Sequence, residues 1–373
     1  MENLVDKNLF SGVYKNKKVL VTGHTGFKGS WLCLWLTQMG AEVCGYSLKN
    51  TNEQNHLDLL KLDIKSIIGD IRDQKILDNT FNEFQPEIVF HLAAQALVLT
   101  SYEDPINTYE TNVIGSLKVY ERCRKCKSVQ SIVTITTDKV YQNNEWIWGY
   151  RENDRLGGKD PYSSSKAAME IMTSSYIHSY FNLNDFKKKH NILVATARAG
   201  NVIGGGDWAD YRLIPDIVKA SLKDNPVEIR SPKSTRPWQH VLEPLSGYLL
   251  LGQRLIERDI TFADAYNFGP ELSGDLSVEE VVKLLKDHWE KIDYKIVIPK
   301  EKLHEARLLK LDCAKANNIL NWKAVWNAKT TLEKTILWYK NYYEENKVCS
   351  TEDLKDYIKK ASIDKLIWTD DNL

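Results

Sequence analysis

Residues 18–40, KVLVTGHTGFKGSWLCLWLTQMG, join a short apolar run to a glycine-rich turn and then to a longer apolar segment. Lys18–Thr22 is rich in aliphatic and β-branched residues and predicts a strand. Gly26–Met39 is apolar on nearly every side and stops at Gly40, which predicts a buried helix with a glycine cap. A strand followed at once by such a helix indicates an α/β fold in which this helix packs beneath a sheet.

The turn between these two segments carries three spaced glycines. Gly23 would permit a tight turn, Gly26 would let the backbone approach a pyrophosphate, and Gly29 would let the helix pack closely on the strand. The free N–H groups at the start of the helix would face the anion. In this strand-to-helix context the triplet predicts a dinucleotide site rather than a glycine-rich turn without function.

The first half of the chain repeats this alternation of short β-rich runs and longer helix-like segments. We therefore predict an α/β fold with a Rossmann-type, doubly wound parallel sheet that has helices on both faces. The further strand candidates are Glu42–Tyr46, Ser66–Gly69, Ile88–Leu92, Ser131–Thr136 and Ile192–Ala197, and the further helix candidates are Gln74–Phe84, Asn107–Lys125 and Pro161–Tyr180.

After about Ala199 the pattern loosens, and prolines and tryptophans punctuate short segments. We predict a smaller mixed α/β C-terminal lobe that supplies a substrate pocket. Ala265–Phe268 is expected to rejoin the main sheet. The predicted division is therefore a dinucleotide-binding domain over 1–200, with its sheet completed by about 236–268, and a substrate lobe formed mostly by 201–373.

Composition limits the partners that can be expected. Fifty basic residues balance fifty acidic ones, so neither a nucleic acid nor an anionic membrane is favoured as a partner. No stretch approaches the ~20 apolar residues of a membrane span, and no signal peptide is recognised, so we expect a cytoplasmic protein. Cys123 and Cys126 form a CxxC without a second pair, which favours reduced thiols over a metal site.

Two further segments carry candidate catalytic groups. In Tyr162-Ser163-Ser164-Ser165-Lys166 the spacing of four puts the phenol and the ammonium on one helix face. The ammonium would lower the pKa of Tyr162 towards neutrality, so that the phenol could take a proton from a substrate hydroxyl. The second segment, Thr137-Asp138-Lys139, lies at the carboxyl end of the fifth predicted strand, where ligands bind in open α/β sheets.

These motifs together resemble the extended short-chain dehydrogenase/reductase family, which has a GxxGxxG turn and YxxxK. Gly69-Asp70-Ile71, His91-Leu92-Ala93-Ala94 and Asn112 also match that family. The second strand ends in Gly45-Tyr46-Ser47-Leu48, without the acidic residue that would bind the ribose of NAD, and Lys49 is the nearest cation for NADP. NAD is the favoured cofactor. The resemblance implies that Tyr162, Lys166 and the following residues contact it: Gly23, His24, Thr25, Gly26, Phe27, Lys28, Gly29, Asp70, Ile71, Leu92, Ala93 and Ala94.

Longer strings resemble one branch, the CDP-glucose 4,6-dehydratase family. They are GHTGFKGSW (23–31), TDK (137–139), EWIWGYRE (145–152), ARAGNVIGGGDW (197–208) and RPWQHV (236–241). The resemblance implies oxidation at C4 of a nucleotide-linked glucose through Tyr162, loss of water across C5 and C6 with Asp138 as the acid, and reduction at C6. Thr137 would hydrogen-bond the hydroxyl being oxidised. Lys139 would be either the C5 base, if burial beside Lys166 kept it neutral, or a cation that stabilises the enolate.

The same strings supply candidate contacts to the nucleotide diphosphate. Arg198, Arg212 and Arg236 offer guanidinium groups to phosphate oxygens, and Asn201 offers an amide. Trp208 or Trp238 would stack on the base or line the sugar pocket, with a core position as the alternative.

Assembly and two other functions complete the expectations. The resemblance implies a homodimer, or a dimer of dimers, paired through Asn107–Lys125 and Pro161–Tyr180. The alternatives are another nucleotide-sugar 4,6-dehydratase or a 4-epimerase, and a dinucleotide sensor without activity. Asp138 disfavours the epimerase, and the intact YxxxK disfavours the sensor.

Overall fold

A computed structural model of the chain describes residues 8–50, 53–270, 276–297 and 308–369. The strands are β1 (Lys18–Thr22), β2 (Glu42–Ser47), β3 (Lys65–Ile68), β4 (Ile88–His91), β5 (Ser131–Ile135), β6 (Leu193–Ala199), β7 (Val202–Ile203), β8 (Val227–Ile229), β9 (Thr235–Arg236), β10 (Gln239–His240), β11 (Ala265–Phe268), β12 (Leu276–Ser277) and β13 (Tyr294–Ile296). The α-helices are α1 (Phe27–Gln38), α2 (His56–Leu60), α3 (Gln74–Phe84), α4 (Val98–Glu103), α5 (Pro105–Tyr109), α6 (Ser116–Lys125), α7 (Pro161–Ser179), α8 (Leu213–Ser221), α9 (Leu242–Ile256), α10 (Val278–His288), α11 (Ala314–Asn318), α12 (Ala328–Glu345) and α13 (Ser350–Ile363).

Seven of the strands form one sheet in the order β11-β6-β5-β4-β1-β2-β3, and all six pairings are parallel. The predicted doubly wound parallel sheet is confirmed, and each predicted strand ends within two residues of the observed one. The expected return of Ala265–Phe268 to the sheet is also confirmed, because β11 pairs with β6. The strand order reverses at β1, so the ligand crevice of such a fold lies above the carboxyl ends of β1 and β4.

The helix predicted over Asn107–Lys125 is interrupted. Residues 110–115 form a π-helical stretch between α5 and α6, and α5 already begins at Pro105. A π stretch inserts one extra residue into a turn and often marks a functional site. Asn112 lies within it.

Helix α1 is apolar on all sides because it is covered on all sides. Gly29–Leu36 are buried, with the sheet on one side. On the other side Trp35 meets the rings of Tyr357 at 5.8 Å and Trp368 at 5.6 Å, and both rings belong to the C-terminal segment. Residues 350–369 therefore complete the core over this helix.

The second lobe is built from α8, α10 and α12 around three two-stranded sheets, β7 with β10, β8 with β13 and β9 with β12. No helix among the described residues is long and apolar enough to cross a membrane. Within the described ranges, no His, Cys, Asp or Glu side chains cluster in a way that could hold a metal. Cys123 and Cys126 are unpaired and buried.

Candidate active site

The glycine-rich turn has the shape that the sequence predicts. Gly23 has a φ of +77°, and a Cβ there would lie 2.9 Å from the backbone nitrogen of Ala93. A Cβ on Gly29 would lie 2.8 Å from the carbonyl carbon of Gly23, so both positions require glycine. Gly26 is exposed and precedes the first residue of α1. The turn therefore leaves a bare backbone at a helix N-terminus, which fits a pyrophosphate.

His24 and Thr25 connect this turn to the end of β2. The imidazole Nδ1 lies 3.0 Å from the Ser47 hydroxyl, and the Thr25 hydroxyl lies 2.8 Å from the same oxygen. Burial lowers the pKa of His24 to about 4, so the ring is neutral at pH 7. The position where an acid would bind the ribose of NAD is thus held by Ser47, whose hydroxyl bonds to the turn.

Asp70 follows β3, and its carboxylate is bound by Arg72, with Nη2 donating to Oδ2 at 2.7 Å and Nε donating to Oδ1 at 3.0 Å. The hydrogen bonds from Arg72 hold the pKa of this carboxyl below its usual range. Ile71 is buried in the core beneath the sheet. The contact of Asp70 with the adenine stays a prediction, and the structure adds Arg72 beside it.

The loop after β4 passes directly over the glycine turn. The backbone nitrogens of Leu92 and Ala93 each donate to the Thr22 hydroxyl at 3.1 Å. His91 bridges Thr22 and Ser116 with ring nitrogens at 2.7 and 2.8 Å, and burial lowers its pKa to about 3. His91 therefore links β1, β4 and α6.

Thr137 and Asp138 are buried at the carboxyl end of β5. The Thr137 hydroxyl donates to Asp138 Oδ1 at 2.9 Å and accepts from the backbone nitrogen of Lys139 at 3.3 Å. Lys139 is exposed, so the prediction that it is buried beside Lys166 is wrong. The remaining expectation for Lys139 is that of a cation at the mouth of the site.

Tyr162 and Lys166 are both buried on α7, which begins where Asp160 accepts from the backbone nitrogen of Ser163 at 2.9 Å. Burial raises the pKa of Tyr162 to about 12, although a hydrogen bond with Thr137 and the charge of Arg212 oppose the shift. The prediction that Lys166 lowers the pKa of Tyr162 is therefore wrong. Lys166 donates to the Ile135 carbonyl at 3.2 Å instead.

Three cations converge on this centre. Burial and the neighbouring charge of Lys28 lower the pKa of Lys166 to about 7. Burial and the charge of Arg212 lower the pKa of Lys28 to about 8, while Asp138 opposes that shift. Arg212 is held by an ion pair from Nη1 to Asp207 Oδ2 at 2.7 Å. The fold thus brings a predicted cofactor residue and a predicted substrate residue to the catalytic ones.

Arg198 does not occupy the predicted phosphate site. Its Nε and Nη2 donate to the two carboxylate oxygens of Glu170, each at 2.9 Å. Its Nη1 donates to the Tyr141 hydroxyl and the Glu152 carbonyl, both at 2.8 Å. Because all three nitrogens are engaged in a buried network between β6 and α7, the phosphate contact predicted for Arg198 is wrong.

Trp208 is likewise a core residue. Its ring packs edge-on against Trp338 at 5.7 Å, and its Nε1 donates to the Tyr343 hydroxyl at 2.9 Å. The alternative of a core tryptophan holds for Trp208, and the base-stacking role does not. Asn201, which has a φ of +43°, and Arg236 on β9 stay predicted substrate contacts.

Comparison with known proteins places this site in a family. The family described as GDP-mannose 4,6 dehydratase matches residues 20–335. The chain belongs to this family. A curated CDP-glucose 4,6-dehydratase from Salmonella typhimurium is 46% identical over 95% of this chain and 99% of its own length. A dTDP-D-glucose 4,6-dehydratase from Dictyostelium discoideum is 25% identical over 87% of this chain and 82% of its own.

Solved structures of epimerases share the fold of this chain. Epimerase Mth375 from Methanothermobacter thermautotrophicus has a TM-score of 0.77 and 25% identity, covering 92% of this chain and 97% of its own. The UDP-glucose 4-epimerase of Thermus thermophilus, a complex with NAD, has a TM-score of 0.73 and 25% identity, covering 86% of this chain and 98% of its own.

Sequence reasoning missed Glu170. It lies four residues after Lys166 and eight after Tyr162, on the same face of α7. Its carboxylate accepts from the hydroxyls of Thr136 and Thr196 as well as from Arg198. A carboxylate on the buried face of a helix requires a buried partner. The spacing of Glu170 from Tyr162 and Lys166 on α7 is the sequence feature that could have identified it.

Proposed function

We propose that the protein is an NAD-dependent lyase that converts CDP-D-glucose to CDP-4-keto-6-deoxy-D-glucose and water. The identity to the Salmonella typhimurium enzyme over nearly the whole of both chains supports this substrate. One observation carries the reaction type, namely that the Asp138 carboxyl is buried beside Thr137 and close enough to influence Tyr162 electrostatically. A 4,6-dehydratase uses an acid there, and an epimerase has no task for it.

NAD is the cofactor, as in the solved Thermus thermophilus epimerase. The turn of Gly23, Gly26 and Gly29 fits its pyrophosphate, since any side chain at Gly23 or Gly29 would collide with backbone. When bound, it supplies the redox chemistry that oxidises C4 and later reduces C6. Lys28 and Lys166 are the cations that would meet its phosphate and ribose region.

The side chains of the chain handle the protons. Tyr162 accepts the proton of the 4-hydroxyl as C4 is oxidised. Burial raises the pKa of its phenol, while the hydrogen bond with Thr137 and the charge of Arg212 favour the anion. Once C4 is a ketone, the C5 proton leaves to solvent at the mouth of the site, where Lys139 is exposed, and a C5–C6 double bond forms. When C6 is later reduced, a proton from solvent returns to C5. Asp138 gives its proton to the 6-hydroxyl as the C6–O bond breaks and water departs. Lys139, which is exposed at the mouth of the site, would stabilise the negative charge of the enolate.

Asp138→Asn tests the acid. The amide keeps the shape of the side chain but has no proton to give, so turnover should fall by about 100- to 10,000-fold. Oxidation at C4 should persist, because Tyr162 and Lys166 are unchanged. Single-turnover absorbance in the NADH band reports oxidation, and the alkaline ultraviolet absorbance of the 4-keto sugar reports product.

Tyr162→Phe is the companion variant and should abolish both signals. Formation of product by Asp138→Asn at the wild-type rate would remove Asp138 as the acid and favour an epimerase.

Parallel reactions with CDP-, dTDP- and UDP-glucose determine the nucleotide. A preference for a different nucleotide would point to another nucleotide-sugar 4,6-dehydratase.

We also propose a homodimer. Helices α4, α5 and α7 and the π stretch carry exposed apolar residues, and α5 and the π stretch line a shallow depression of about 380 Å³. On α7 the catalytic pair faces inward while Ile171 is 60% exposed. The apolar residues of this face are Leu99, Tyr102, Ile106, Tyr109, Ile114, Ile171 and Tyr180. A face of this kind on helices is typical of an interface.

Ile106→Glu tests the dimer. Ile106 is 73% exposed, so the change should leave the fold intact while it places a charge in the interface. Ile363→Glu, at an isoleucine 65% exposed on α13, is the matched control. Sedimentation should show a dimer for the wild type and the control, and a monomer for Ile106→Glu. A 43.0 kDa species alone in the wild type would contradict the proposal.

A further inference from the structure

Gly200 lies against the carboxylate of Asp138. It directly follows β6, and Asp138 lies just beyond the neighbouring strand β5. A Cβ built on Gly200 would lie 2.7 Å from Asp138 Oδ1 and closer still to Cγ and Oδ2. Gly200 is not among the residues with positive φ, so its backbone would accept any residue. Space beside the carboxylate is what requires glycine here.

The two sides of this contact differ in rigidity. The Gly200 carbonyl accepts from Gln239 Nε2 at 2.9 Å, and the same nitrogen donates to the Phe268 carbonyl at 3.1 Å. Gln239 is buried, so the backbone at Gly200 is fixed across β6 and β11. The Asp138 carboxylate is held by the Thr137 hydroxyl at 2.9 Å. A side chain at position 200 would therefore displace the carboxylate rather than the backbone.

We propose that Gly200 is a positioning residue that sets the orientation of the Asp138 acid. The inference rests on the proposed function, in which Asp138 protonates the departing 6-hydroxyl. The bare Cα of Gly200 forms one wall of the carboxylate site, and Thr137 forms the other. Together they hold the carboxyl in the orientation from which it reaches the 6-hydroxyl.

Gly200→Ala is the test, with Gly269→Ala as a matched control. Gly269 follows β11 at the register of Gly200, because Phe268 pairs with Ala199. A Cβ there would meet the Cys313 sulfur at 3.4 Å, away from the acid. Displacing a catalytic group by about 1 Å can cost ~100-fold in rate. Gly200→Ala should therefore slow release of the 4-keto product about 100-fold, while the oxidation signal in the NADH band and the KM for CDP-glucose stay unchanged.

The pair of variants separates this inference from the proposed function. If Asp138→Asn is impaired and Gly200→Ala releases product at the wild-type rate, the positioning role is refuted and the acid stands. If Asp138→Asn is unimpaired, the proposed function fails first. Adding Gly200→Ala to Asp138→Asn should cause no further loss, because both act through one carboxyl. A further loss would overturn the inference.

Folding provides a second measurement. If Gly200→Ala does not fold, the variant is made together with Asp138→Ala, which removes the carboxylate that its Cβ would strike. Recovery of folding, seen by circular dichroism, supports the steric contact. Failure to recover shows that position 200 needs glycine for another reason, and this contradicts the inference.

Discussion

The ion pair between Glu170 and Arg198 allows a sharp test of what holds the catalytic helix. The two side chains are 4% and 5% exposed, and the carboxylate accepts four hydrogen bonds, two from Arg198 and one each from Thr136 and Thr196. Burial alone would raise the pKa of Glu170, but the charge and hydrogen bonds of Arg198 lower it below its usual value. Glu170 is therefore ionised, and it links α7 to β5 and β6.

In Glu170→Gln one carboxylate oxygen becomes an amide NH₂. That group would face donors from Arg198 and a threonine, and the guanidinium would keep its charge without a counter-ion. Removing one partner of a buried ion pair typically costs about 3–5 kcal/mol. We expect a loss of that size in the free energy of unfolding, together with lower turnover, because Thr136 adjoins Thr137.

Glu121→Gln is the matched control. Glu121 also accepts from both the Nε and Nη2 of an arginine, Arg124, at 2.9 and 2.8 Å, but the arginine and the carboxylate are 37% and 28% exposed. An exposed pair is worth about 0.2–1 kcal/mol. Urea unfolding followed by tryptophan fluorescence measures both variants. Equal losses in the two would refute the reasoning that burial makes the Glu170 pair costly to break.

Three further outcomes are expected. Burial raises the pKa of Glu243 to about 7 from a usual 4.5, so the folded protein keeps a proton that the unfolded chain releases. Stability should therefore fall as the pH rises from 4.5 to 7. The thermal midpoint should change less between pH 5 and pH 7 in Glu243→Gln than in the wild type. Gly29→Ala should copurify with little NAD, measured by the absorbance of the released cofactor, because its Cβ would strike the turn. Trp208→Ala should cost about 3–5 kcal/mol in urea unfolding with an unchanged KM for CDP-glucose, whereas a large rise in KM would restore the predicted stacking role.

The parallel sheet could be predicted because each strand can be recognised from a short local segment of sequence. Apart from the exposed edge strand β3, each is a short apolar run that ends in a turn or a polar segment, and parallel strands buried on both faces have this pattern. The π stretch at Glu110–Gly115 could not be predicted, since the shift in periodicity caused by one extra residue is too local to recognise within six residues. The packing of the C-terminal segment against Trp35 was also not predicted, because it depends on contacts between residues more than three hundred positions apart.

The site was predictable to the extent that motifs lie at strand ends. Gly23 follows β1, Asp138 follows β5, and Tyr162 lies at the start of α7. The strand order alone predicts that ligands bind at the carboxyl ends of β1 and its neighbours. Arg198 and Trp208 were assigned by side-chain type, and the type of a side chain does not determine which way it points. Arg198 lies within β6 rather than beyond its end, where alternation directs it towards α7 and Glu170.

Arg198, Lys28 and Lys166 differ in how their charges are compensated, and this difference separates structural cations from binding ones. Arg198 has a carboxylate at 2.9 Å, and its pKa is raised above its usual value, so its charge is already compensated by the protein. Lys28 and Lys166 have pKa values lowered to about 8 and 7 by burial and by neighbouring cations, and Lys166 donates to a backbone carbonyl rather than to a carboxylate. Burial of a charge that no ion pair compensates costs free energy, so lysines of this kind fit a site that receives anions from outside. Two diphosphates, one on NAD and one on the nucleotide sugar, are the anions that the proposed reaction brings to this crevice.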